Sequence, residues 1–222
     1  MGREPITSPP ARRARRERLR EQTRLDLVRA ARELIAEHGV GGLRVGDITE
    51  RADVALGSFY SHFESKDDVV EAVVSTTLAS LMNAIIRAGQ SLDDPAEVAS
   101  VGIRLVVNLG FADPAFARLL INLENVFDRF EQLVWPQALE VMQAGVSAGR
   151  LTTDDPEMAL TVAVGAVLSV IRSVLSGRYD AGADVACAVV LLRGFGLSQA
   201  EAREVAGRPL PDISFDLSAE LS

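Results

Sequence analysis

Lysine is almost missing from this sequence of 222 residues. Lys66 is the single one, and every other long basic side chain is arginine. Cysteine is as scarce: Cys187 stands alone, which excludes an internal disulfide framework, and its setting in "VACAVVLL" reads as a buried thiol. Two histidines, His38 and His62, are too few for a cluster of metal ligands. No phosphate-binding glycine loop is present and no strand to carry a nucleophile elbow, so an enzyme reading finds no support, and neither a metal nor a cofactor is expected. Aromatic residues make up only 5%, while 48% of the chain is hydrophobic and rich in alanine, valine and leucine. That balance favours close-packed helices, and no segment reads as a convincing strand. The start "MGREPITSPP" has no apolar signal segment. The longest apolar run, "ALTVAVGAVLSVI", stops at Arg172, short of a bilayer span. The expectation is an all-α, soluble, cytoplasmic protein with no membrane partner.

What the chain does have is an uneven charge. The formal total is −8. Residues 1–66 carry 13 basic against 10 acidic side chains, net +3, whereas residues 67–222 carry 10 against 21, net −11. A basic head on an acidic body implies two jobs on one chain. The alternative is a basic tail with no partner.

Residues 1–20 read as a disordered basic arm, with three prolines in the first eleven residues and the arginine-rich run "RRARRERLREQTR" beginning at Arg12. In the first helix, Leu27, Val28, Ala31, Leu34 and Ile35 share one face. Gly39 is its natural stop, and His38 before it is structural. "VGDITERA" fits a second short helix and "GSFYSHF" a third, with Phe59 and Phe63 four apart on its buried side. Asp53 supplies the turn between them. Two short helices across a tight turn, packed on a longer one, form a helix-turn-helix pattern. Ser65 and Asp68 then read as a capping box opening a long fourth helix, to about Ala88. Further along, Asp94–Pro95, Asp113–Pro114 and Asp155–Pro156 are repeated helix starts. Pro136 marks another start, and Ser198 with Glu201 a last capping box.

Residues 24–70 resemble the DNA-binding domain of the TetR family of bacterial regulators. The resemblance rests on Leu27, Val28, Ala31, Gly39, Ile48, Ala52 and Val54, and above all on the spacing Gly57-x-x-Tyr60-x-His62-Phe63-x-Ser65-Lys66. It implies a three-helix DNA-binding domain, here 21–66, followed by a helical effector-binding and dimerisation domain, 67–208, and a C-terminal tail, 209–222. It also implies a dimer that binds double-stranded DNA at a palindromic operator, as a repressor released by a small hydrophobic effector. A helical adaptor without specific DNA binding is the alternative. Base edges are read from the start of the recognition helix while flanking groups hold phosphates. Gly57 lets backbone approach the duplex. Ser58 and Ser61 offer outward hydroxyls, with Ser58 the candidate for sequence preference, and Tyr60 can donate to a phosphate. His62 divides between packing under the recognition helix and a phosphate contact. Lys66, at the first position of the fourth helix, adds a compact cation to a positive helix end. Arg44 stands where the family usually has a capping Ser or Thr, so a cap is lost and a phosphate ligand gained. Gly46, Asp53 and Ala55 also depart from the family pattern.

In the acidic body, large apolar residues interrupted by lone polar ones mark an expected effector pocket. The candidates are Met82, Ile86, Leu105, Leu109, Phe116, Leu120, Phe127 and Met142, with Leu123, Phe130 and Met158 beside them, and Glu124 or Asn125 to orient the ligand's polar end. "EMALTVAVGAVLSVIRSVLS" and "ADVACAVVLLRGFGL" are apolar on nearly every face. They suit a four-helix bundle across a two-fold axis, with Val164, Val167, Leu168, Ile171, Val189 and Leu192 at the dimer interface. The alternative is that both helices are buried inside one monomer.

Overall fold

Helix starts are where sequence dictates structure most directly. A short acidic or hydroxyl side chain can take up the orphan N–H groups of a first turn, and a following proline has no N–H to lose. The Asp94 carboxylate accepts from the Ala96 N–H at 3.0 Å, Asp113 from Phe116 at 3.0 Å and Asp155 from Met158 at 3.0 Å. Both capping boxes close as well. Asp68 N–H donates to Ser65 Oγ at 3.2 Å while the Ser65 N–H donates back to Asp68 Oδ2 at 3.1 Å, and Ser198 and Glu201 do the same.

The computed structural model describes residues 9–122 and 126–211, and among them every regular element is a helix. In chain order these are α1 (Pro9–Gly42), α2 (Val45–Arg51), α3 (Leu56–Tyr60), α4 (Lys66–Gly89), α5 (Pro95–Ala112) and α6 (Pro114–Ile121). They continue as α7 (Val126–Leu133), α8 (Trp135–Ser147), α9 (Pro156–Leu175), α10 (Ala183–Gly194) and α11 (Gln199–Ala206). The all-α expectation holds. The arm does not match its expectation: α1 starts at Pro9 and carries helix through the arginine run, while residues 1–8 lie outside the described ones. Arginine is a good helix former, and i,i+4 pairs such as Arg13–Glu17 sustain such a helix. Gly39 does break α1, with φ 68° and ψ 171°, before a last helical turn to Gly42.

The chain divides into two compact units inside α4, between Val73 and Val74. In the first, α1, α2 and α3 enclose Leu27, Ala31, Ile48 and Phe59, all fully buried. Arg51 joins α2 to α1, with its two Nη groups donating to the Glu37 carboxylate at 3.0 Å each and Nη1 also to Glu33 at 3.2 Å. In the second, α5 is the hub, packed against α6, α8, α9, α10 and α11. The α5–α9 approach is close: a Cβ on Gly110 would meet Val174 Cγ1 at 3.1 Å. The Arg104–Asp184 pair ties α5 to α10 at 3.0 Å with both side chains about nine-tenths buried.

Helices α4, α5 and α9 are by length and composition long and apolar enough to cross a membrane. The apolar run read from the sequence underestimated α9, because the helix extends to Leu175 past Arg172. Only a third of the apolar window of α9 is buried within the chain.

Candidate DNA interface and ligand cavity

In the first unit, the turn between α2 and α3 is made by Asp53 at φ 53°, a left-handed conformation that aspartate tolerates better than most residues. Phe59 at 0% and Phe63 at 5% exposure fix α3 from beneath, their rings 5.6 Å apart. Opposite them, Gly57, Tyr60 and Ser61 are exposed and Ser58 is half-buried. Tyr60 meets Phe59 edge-on at 5.4 Å yet stays 60% exposed, so its hydroxyl end is in solvent. Regular helix ends at Tyr60, shorter than the sequence pattern predicts. Ser61 Oγ donates to Ser58 O at 2.7 Å, which spends its donor locally and leaves only acceptor capacity.

Cations stand at the starts of the helices before and after this one in the chain. Arg44 is exposed at the start of α2 and makes no side-chain cap bond. Lys66 is half-buried at the first position of α4, behind the Ser65–Asp68 capping box. The extension of α1 adds what the sequence reading missed. Arg20 Nη2 donates to Ser61 O at 3.2 Å, and the Arg24 guanidinium sits 5.6 Å above the Phe63 ring. An arginine-rich run gives no sign of register until its helix is continuous with α1. These two arginines, with Glu17 and Glu21, border a surface recess that includes half-buried His62. Burial, then the charges of Arg20 and Arg24, hold the His62 imidazole below its ordinary value, against the weaker opposing pull of Glu21.

The second unit contains a cavity of about 580 Å³, open to solvent on one side. The end of α4 lines it with Met82, Ile85 and Ile86, and α5 with Val98, Gly102, Ile103 and Val106. Phe130 and Val134 close one side, Met142 of α8 another, and Leu160, Ala163 and Val167 of α9 a third. Among the described residues, Gln90, Gln137 and Glu140 are its polar ones. Of the residues expected there from sequence, Met82, Ile86, Phe130 and Met142 line the cavity. Leu105, Leu109, Phe116 and Leu120 do not: they are buried at 4% exposure or less in the helix–helix core. Met158 is 58% exposed on α9. Leu123, Glu124 and Asn125, and the side chain of Phe127, lie outside the described residues.

The residues expected at the dimer interface are also redistributed. Val164 and Val167 line the cavity. Leu168, Ile171 and Leu192 are buried within the chain, and Val189 is half-buried. The large apolar side chains that α9 and α10 leave exposed are Met158, Val162 at 59% and Val190 at 69%. Helices apolar on every face give no periodicity from which to tell inside from outside.

Comparison with known proteins matches residues 27–73 to the family model described as bacterial regulatory proteins, tetR family. Residues 94–208 match the tetracyclin repressor-like C-terminal domain. Among solved structures, the crystal structure of RolR in complex with resorcinol is 32% identical with a TM-score of 0.75, over 89% of this chain and 100% of that one. The transcriptional repressor AcnR of Corynebacterium glutamicum is 25% identical over 60% of this chain and 71% of its own length. The repressor DhaR of a Mycobacterium species is 38% identical over 30% of this chain and 33% of its own length.

Proposed function

The chain belongs to the TetR family of bacterial transcriptional regulators, and from that premise we propose that it is a cytoplasmic repressor that binds a palindromic operator as a homodimer and leaves it when a small hydrophobic effector binds. The observation that carries the DNA half is the exposed side of α3. Phe59 and Phe63 are spent on the core, which leaves Gly57 and Tyr60 exposed and Ser58 half-buried, with Arg44 at the start of α2 and Lys66 at the start of α4. Ser58 sets base preference. Tyr60, Lys66 and Arg44 hold phosphates, and Ser61 and His62 support the end of the reading helix.

The effector half rests on the cavity. Its volume suits a small molecule, and methionine and phenylalanine give it an adaptable apolar wall. A structure of the relative RolR holds resorcinol. Helix α4 carries Lys66 at its first position and Met82, Ile85 and Ile86 on the cavity wall. A ligand that moves the far end of α4 therefore changes the placement of the near end. Operator binding needs the two recognition helices of a dimer about 34–36 Å apart, one turn of DNA. The effector must bind the free dimer more tightly than the DNA-bound one, and DNA must weaken the effector by the same factor.

The test is binding to the DNA upstream of the protein's own gene, measured against salt. We expect protection of an inverted repeat, and for Lys66→Ala a salt slope shallower by about 1 per monomer. An unchanged slope with an intact helical spectrum removes Lys66 from the phosphate contacts. Absence of salt-dependent binding in the unaltered protein overturns the DNA reading.

A further inference from the structure

The cavity wall is hydrocarbon except at a few points, and one of these is out of place. Gln137, in the first turns of α8, lines the cavity with its Oε1 buried and without a hydrogen-bond donor. A buried amide oxygen left unsatisfied is destabilising, and native structures rarely keep one without a purpose. We infer that Gln137 is the polar anchor of the effector, and that the effector is a neutral, largely apolar molecule whose hydroxyl group donates to Gln137 Oε1. This inference rests on the reading of the cavity as the effector site.

Charge decides the class of ligand. Among the described residues no Lys, Arg or His lines the cavity, so a carboxylate or phosphate placed there meets no cation from them. Glu140, one turn beyond Gln137, is exposed and adds a negative charge at the lip. An anionic ligand is therefore disfavoured twice. A cationic one would lose its hydration to gain only that exposed carboxylate. A hydroxyl meets neither cost. Being both donor and acceptor, it also suits either end of the amide. Gln90 is exposed at the end of α4, so its amide is solvated before any ligand arrives. Among the described residues, that leaves Gln137 as the wall's one polar group with an unmet demand. Its sequence setting, "WPQALE", has no feature that separates it from any other polar helix residue.

Three probes of similar length separate the possibilities in calorimetry on the full-length protein: 4-hexylresorcinol, its dimethyl ether and 4-hexylbenzoate. The unaltered protein should bind the diol at least about tenfold more tightly than the ether, with the benzoate weakest. In Gln137→Leu, which keeps the volume, the diol and the ether should bind equally. Comparing diol and ether on the unaltered protein tests the anchor even if the variant fails to fold. Equal binding of diol and ether by the unaltered protein, undiminished discrimination in a folded Gln137→Leu, or preference for the benzoate overturns the inference. Release of operator DNA is read separately. Gln137-dependent discrimination without release refutes the regulatory reading and leaves the anchor standing. Release by diol and ether alike does the reverse. If none of the three binds, the cavity is not the ligand site and both readings fall.

Discussion

The Arg104–Asp184 pair shows what one buried charge demands. Arg104 Nε donates to Asp184 Oδ2 at 3.0 Å and Nη1 to the Arg208 carbonyl at 2.6 Å, with Asn108 Nδ2 at 3.5 Å from the same carboxylate oxygen. Asp184 is 7% exposed, so Arg104→Ala strands a carboxylate out of water. We expect a loss of about 3–5 kcal/mol in urea unfolding, and a much smaller one when Asp184→Leu is added. A loss under 1 kcal/mol, at the level of a surface pair, would count against this account. The same carboxylate bears on its neighbour: burial first, then the Asp184 charge, pushes the Cys187 thiol up to about 11, which makes it an inert core group. His62 is the second residue with a measurable signature. Its folded-state pKa lies below the ordinary 6.5, so the unfolded chain takes up the proton first on acidification. Stability tied to neutral His62 is complete well above 6.5 and is lost as pH falls below it towards the lower folded value. His62→Gln should flatten the fall in urea midpoint between about pH 7.5 and 5. An identical slope in the variant would place the acid sensitivity elsewhere.

At the scale of elements, helix beginnings were legible and helix surroundings were not. Asp94, Asp113, Asp155, Ser65 and Ser198 all cap as their sequences imply, because a cap is a contact within a few residues. The turn at Asp53 is equally local. What Asp94 does beyond its helix depends on residues far along the chain. Burial works against its charge, but hydrogen bonds from Arg150 and from the Ala96 N–H outweigh it and hold the carboxyl below its ordinary range. Arg150 donates to both its oxygens, at 3.0 and 3.1 Å, and Arg208 approaches to 3.6 Å while it also pairs with Glu97 and Glu204. Among the described residues, the Asp155 carboxylate has its cap alone. We therefore expect Asp155→Ala to cost about 1 kcal/mol and Asp94→Ala about 2 or more. Asp94→Asn, which keeps an acceptor for Ala96, should fall between the unaltered protein and Asp94→Ala. Thermal unfolding of the three variants checks the order, and equal losses for Asp94→Ala and Asp155→Ala would deny the ion network any role.

For the molecule as a whole, the all-apolar character of α9 and α10 predicted a dimer but not its face. A sequence that is apolar all round has no moment to point with, so Val167, Leu168 and Ile171 looked as suitable as their neighbours. Packing assigns the sides: these three are between 0% and 8% exposed, while Met158, Val162 and Val190 stand 58–69% exposed on the same two helices. Isolated exposed apolar residues are ordinary, but three large ones on two helices in a family of dimers call for a partner surface. The two sets of positions must then respond differently to the same substitution. Val162→Glu or Val190→Glu puts a charge where only the partner would desolvate it, so the monomer should keep its helical spectrum and its cavity while light scattering reports half the mass. Val167→Glu puts the charge into the core and the cavity wall, and should lower unfolding stability by several kcal/mol before any question of association arises. A monomeric Val162→Glu should also lose operator affinity steeply, because two half-sites held together bind far more tightly than one. If Val162→Glu and Val190→Glu both remain dimeric, the exposed faces of α9 and α10 are not the interface. If the unaltered protein scatters as a monomer, the proposed palindromic operator loses its structural basis.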